Sequence, residues 1–67
     1  MSEFTLNHQP QRWREGLTVA AQLHEHGTAP DAVATALNGA FVPRGQRDRT
    51  FIKPGDEVTL IQPITGG

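Results

Sequence analysis

The two glycines that close the sequence, Gly66 and Gly67, offer chemistry to another molecule. Seven glycines in 67 residues would place such a pair there by chance only about 1% of the time. Glycine has no Cβ, so a Gly-Gly end can extend along a narrow channel and bring its α-carboxylate against a nucleotide phosphate. Attack of that carboxylate on ATP would give an acyl-adenylate. A sulfur nucleophile could then displace the nucleotide and leave a terminal thiocarboxylate. On this reading Gly67 carries the sulfur, and Ile64, Thr65 and Gly66 form the tail that threads into a partner's site.

Other chemistries find little support. His24 and His26 stand two residues apart on an expected helix, about 200° of rotation, so their rings leave on opposite sides and make a poor metal pair. The acidic residues show no paired-carboxylate spacing, and the remaining glycines are isolated turn residues with no phosphate-binding loop among them. With no cysteine, neither a disulfide framework nor a cysteine-based zinc site is available. A net charge of −1 argues against a nucleic-acid footprint. At 67 residues there is little material for an internal substrate pocket, so the chain is expected not to be an enzyme.

Two further groups of residues invite a partner. Phe41 and Ile61 either lie on a sheet face turned away from the helix or belong to the core; if exposed, they and Ile64 would form a docking patch. Arg44, Arg47, Arg49 and Lys53 gather four of the six basic residues within ten positions. A solvated basic loop is the simpler expectation there, with Arg44 the candidate contact for an acidic partner.

The elements that must position these residues can be read in order. Phe4 and Leu6 alternate with polar neighbours as in a half-buried strand. Asn7-His8-Gln9-Pro10 is expected to turn the chain, and residues 11–15 to return as a second strand bearing Trp13 as a core residue. Thr18 is a good helix N-cap, Leu17, Val19, Ala20 and Leu23 make an apolar stripe, and Gly27 suits a left-handed C-cap. Val33, Thr35 and Leu37 alternate into a third strand ending at Asn38-Gly39, a strong hairpin signal. Phe41-Val42 resumes extended structure, residues 44–50 read as loop, and Phe51-Ile52 is a short extended piece. Lys53-Pro54-Gly55-Asp56 turns the chain into a last strand over residues 57–62, with Val58 and Leu60 on one face and Thr59 and Ile61 on the other. First and last strands are expected to pair centrally. This order predicts an α+β fold of the β-grasp, ubiquitin-like type: a mixed sheet of four to five strands packed on one helix. Residues 1–63 form the domain and 64–67 a flexible tail.

The segments Gly16-Leu17-Thr18-Val19, Leu37-Asn38-Gly39-Ala40-Phe41-Val42-Pro43-Arg44, Lys53-Pro54-Gly55-Asp56-Glu57-Val58 and Ile61-Gln62-Pro63-Ile64-Thr65-Gly66-Gly67 resemble the ThiS family of thiamine-biosynthesis sulfur carriers. The likeness spans essentially the whole chain, and the order and spacing of "N-G-x-x-V-P-R", "G-D-x-V" and the final "G-G" are more specific than any one of them. Arg47 departs from the pattern, since many relatives carry an aromatic residue or histidine there. The resemblance implies that a ThiF-type enzyme adenylates the Gly67 carboxylate with Mg-ATP, the chain itself holding no cofactor. A cysteine desulfurase relay would supply sulfur, and thiazole synthase (ThiG) would take it for the thiazole ring of thiamine. Separately, the sequence shows no apolar run long enough for a membrane span or signal segment, so a cytoplasmic protein is expected. Three alternatives stay open: a molybdopterin synthase small-subunit-like carrier, a ubiquitin-like modifier conjugated to lysines, and a passive β-grasp binding module.

Overall fold

The computed structural model describes residues 2–62; the tail expected over residues 64–67 lies outside the described residues. Five strands, β1 (Glu3–Leu6), β2 (Gln9–Arg12), β3 (Ala34–Leu37), β4 (Ala40–Val42) and β5 (Glu57–Ile61), form one mixed sheet in the order β2-β1-β5-β3-β4, with one helix, α1 (Val19–His26). β5 lies in the middle, parallel to β1 and antiparallel to β3. This is the β-grasp arrangement that the element order predicts.

The first hairpin is tighter than expected. Asn7 and His8 alone make the turn, both in the left-handed region with φ of 50° and 69°, as a two-residue primed turn requires. Strand β2 therefore starts at Gln9 and stops at Arg12, so the return strand is not residues 11–15. Pro10 is accommodated because β2 is an edge strand and Pro10 faces Thr5, one place beyond the Leu6–Gln9 pair that closes the turn. At such a non-hydrogen-bonded pair no ladder bond needs an N–H from proline. Trp13 lies past the strand, half-buried against the core, and its indole N–H donates to the carbonyl of Ile52 at 2.6 Å. Asn38-Gly39 builds the second two-residue hairpin with φ of 52° and 82°.

Helix α1 is fixed at both ends. Thr18 Oγ1 accepts from the Ala21 N–H at 3.1 Å. At the other end Gly27 adopts φ 78° and donates to the His24 carbonyl, while Thr28 donates to that of Leu23, the paired bonds of a Schellman motif. An eight-residue helix is too short to persist alone, so the caps and packing hold it. Thr18→Ala is expected to cost about 1 kcal/mol, read as a lower urea midpoint at unchanged slope. The Thr18 backbone bridge to Phe51 would survive that change.

The core lies between helix and sheet. Phe4, Leu6, Leu17, Val19, Ile52 and Val58 are almost fully enclosed, with Leu37 and Leu60 packed against them. Among the described residues, no helix is long and apolar enough to cross a membrane.

Candidate functional site: the outer sheet face and the end of strand β5

The strand that leads towards Gly67 is held on both flanks. On one side Ile61 pairs with Ala34, Leu60 with Thr35 and Thr59 with Ala36. On the other, β1 reaches only to Leu6, opposite Val58. Beyond that point the Asn7 side chain continues the ladder, its Oδ1 accepting from the Leu60 N–H at 2.8 Å. The turn residue that closes the first hairpin thus also fixes β5 one residue before its end. At the start of β5, Asn38 does similar work: its Oδ1 accepts from the Glu57 N–H and its Nδ2 donates to Asp56.

Strand alternation turns Val58 into the core and Ile61 out to solvent, where it is 51% exposed. Phe41 is 67% exposed on the same outer face, opposite Ala36 in the ladder. Across β3, Ala34 and Ala36 lie between the two large side chains, with Thr59 alongside. Strand spacing and the two-residue offset along β3 put Phe41 and Ile61 about 12 Å apart diagonally across the sheet, with alanines between them. The structure therefore decides between the two readings of Phe41 and Ile61: they are surface, and they share one face. Their common side is the one away from α1, and it runs along β5 towards the tail.

Arg44 lies elsewhere. It follows β4, is exposed, and pairs with Asp31 of the 3-10 turn Pro30–Ala32. Ile64, Thr65, Gly66 and Gly67 lie outside the described residues. Arg47 overturns the expectation of a wholly solvated basic loop. It is 5% exposed and donates to Thr35 Oγ1 at 3.1 Å, Pro30 O at 2.9 Å and Val33 O at 2.7 Å. A charged side chain in a polar stretch gives no sequence signal of burial. Phe51 is also exposed, at 56%, and its alternation with the buried Ile52 is the sign of it that the sequence carries.

Electrostatic perturbation is slight. Arg14 forms an ion pair with Glu25, whose hydrogen bonds hold the Glu25 carboxyl below its usual value and raise the Arg14 guanidinium. Such a pair adds to stability above the ordinary carboxylate range and loses that contribution as pH falls through the lowered value. Both groups are in open solvent, so the pair matters little. His8 Nδ1 stands 3.5 Å from Glu57 Oε2, with His8 itself largely exposed. Among the described residues, no group of three or more histidines, cysteines or carboxylates is placed to hold a metal ion.

The family model of the ThiS family matches residues 2–67. This chain belongs to the ThiS family. Its fold is close to that of a ThiS thiamine-biosynthesis protein from Geobacter metallireducens seen by crystallography, with a TM-score of 0.82 and 29% identity, covering 97% of this chain and 99% of that one. A solution structure of a thiamine-biosynthesis protein from the same organism gives a TM-score of 0.76 and 31% identity, covering 97% and 87%. No curated protein matches at a significant level. ThiS membership, with thiamine-biosynthesis proteins as structural neighbours, supports a sulfur-carrier role and enzymes of that pathway as partners.

Proposed function

We propose that this ThiS-family chain is a protein co-substrate that carries sulfur on the C-terminal carboxylate of Gly67 and delivers it for the thiazole ring of thiamine. The observation that carries the proposal is the family match, which runs through residue 67 and so includes the Gly-Gly end. In the first step a carboxylate oxygen attacks the α-phosphate of ATP, and pyrophosphate leaves. A donor persulfide then attacks the acyl carbon of the adenylate with its outer sulfur and AMP leaves, giving an acyl disulfide; a thiol acting as reductant cleaves the S–S bond, forming a new disulfide with the donor sulfur and releasing the thiocarboxylate. The ATP and magnesium belong to a ThiF-type activating enzyme, the sulfur to a cysteine desulfurase relay, and the acceptor is thiazole synthase (ThiG). The chain contributes the carboxylate, the slender Ile64-Thr65-Gly66 approach to it, and a surface by which partners grip the domain.

Phe41 and Ile61 supply that surface, and Arg44, set apart from it in the turn after β4, would make a separate polar contact. Large apolar side chains left in water on a domain this small are the usual anchors of an interface. Phe41→Asp is expected to weaken binding to the activating enzyme at least about tenfold in a titration calorimeter, with the melting temperature of the free chain nearly unchanged.

The direct test is the intact mass after incubation with ATP, a sulfide source and the host's activating enzyme. Exchange of oxygen for sulfur adds about 16 Da, as for a covalent group carrier. The gain must be assigned to the C-terminal fragment, because oxidation of Met1 adds nearly the same mass. An unmodified terminus under these conditions would overturn the proposal and favour a passive binding module.

A further inference from the structure

A cleft of about 320 Å³ separates α1 from the edge strand β2, bordered by Gln11, Arg12, Arg14, Gln22, Glu25 and His26. Gln22, on the helix, is only 7% exposed, and Gln11, on the strand, is half-buried. Gln11 faces the helix because its cross-strand partner, Phe4, points into the core. Neither carboxamide makes a hydrogen bond among the described residues. No fully enclosed side-chain nitrogen or oxygen there lacks a partner, so both polar atoms of Gln22 open on the cleft that it borders.

The charges around the cleft cancel. Arg14 and Glu25 pair with each other, and His26 is neutral unless protonated. Arg12 alternates to the other face, opposite Glu3, and borders the cleft at the strand's edge. That edge is open, because β2 has a neighbour only in β1. Hydrogen-bonded pairs alternate along the hairpin from the tight turn: Leu6 with Gln9, then Phe4 with Gln11, after which the Trp13 N–H donates to the Ser2 carbonyl. The groups between them face away from β1. They are the carbonyl of Pro10 and both the N–H and the carbonyl of Arg12. An antiparallel strand laid along this edge would bond all three, and its residue opposite Gln11 would direct its side chain to the helix side, into the cleft.

We propose that the β2 edge and this cleft form a docking site for an extended peptide segment that places a carboxamide side chain, glutamine or asparagine, opposite Gln11 and against Gln22. A carboxamide both donates and accepts, so it satisfies the two amides that the cleft presents. An aliphatic side chain would seal the Gln22 amide from water without a partner, and a carboxylate would enter without a free cation to meet it. Neither the sulfur chemistry nor the Phe41–Ile61 face takes part, so the site stands or falls independently of them.

The test is a titration of the full-length 15N-labelled chain with a capped peptide, glutamine flanked on each side by two threonines, followed by amide chemical shifts. Saturable shifts are expected at the Arg12 N–H and at the side-chain amides of Gln11 and Gln22, with none at Phe41 or Ile61. Replacing the peptide's glutamine by leucine or by glutamate should weaken binding at least about tenfold. Methylating the backbone nitrogen of either threonine next to the glutamine removes a donor to Pro10 or Arg12 and should weaken it similarly. In Gln22→Leu the preference for glutamine over leucine should vanish, with Trp13 fluorescence reporting a native fold. The peptide variants probe the wild-type chain and do not depend on that substitution. The proposal is overturned by any of three results: no saturable shift in the wild type by about 10 mM, well beyond weak binding; equal affinity of the wild type for the glutamine and leucine peptides; or an unchanged glutamine preference in a folded Gln22→Leu chain.

Discussion

Deletion of Gly67 is expected to abolish sulfur loading while leaving the domain as stable as before. The reacting group is the terminal carboxylate, and removing one residue draws it back by about 3.5 Å along an extended chain. Attack on a phosphate requires the atoms to approach within about 3–3.5 Å, so the whole working distance is lost. Misplacement of about 1 Å alone can cost about a hundredfold. The shortened chain should show no mass gain on its C-terminal fragment under conditions that load the wild type fully. Its urea unfolding curve should overlay the wild type, because the last described strand ends at Ile61, six positions before Gly67. Adding one alanine after Gly67 should have the same effect, since it displaces the carboxylate in the other direction. Substantial loading of either variant would show that the reacting group is not the Gly67 carboxylate.

Arg47→Ala is expected to be the most destabilising change among the charged residues. The substitution removes three hydrogen bonds from a charged donor, and each such bond contributes about 1.5–3 kcal/mol when buried. Water entering the vacated space will satisfy part of what is lost, so a net cost of about 3 kcal/mol is expected. For a domain of this length that corresponds to a fall in melting temperature of about 12–24 °C. It is also a large share of the stability available to so small a domain. Arg47→Lys keeps the charge and loses the planar fork, so roughly half that cost is expected. Fluorescence of Trp13, the sole tryptophan, reports unfolding directly, because its ring packs on the core and its indole N–H binds the Ile52 carbonyl. A cost below about 0.5 kcal/mol, the size of an ordinary surface change, would remove Arg47 from the framework.

These two residues mark the ends of what sequence could convey. The helix boundaries at Thr18 and Gly27 were legible because each is a local chemical event: a hydroxyl meeting a free N–H, and a backbone angle that glycine adopts easily. Asn38-Gly39 was legible for the same reason. Central pairing of β1 with β5 followed from their similar length, and the opposed faces of Val58 and Ile61 from alternation along the strand. Asn7-His8 was harder. Pro10 drew the turn two residues too far, since proline usually interrupts a strand, and its tolerance depends on β2 lying at the sheet's edge. Arg47 was hidden for a related reason. Its acceptors come from residues 30, 33 and 35, separated in sequence and brought together only by the fold. Phe41 and Ile61 fell between, because alternation alone does not say which face a helix will cover.

The middle position of β5 also bears on force. A partner that draws the C-terminal end into a channel pulls lengthwise on β5, whose neighbours β1 and β3 grip it from both sides. A load along the strand axis is borne in shear, with the cross-strand bonds sharing it together, whereas an edge strand pulled sideways would open one bond at a time. The Asn7 side chain, bound to Leu60, adds an anchor near the point where the load enters. A lengthwise pull at this end therefore leaves the sheet intact.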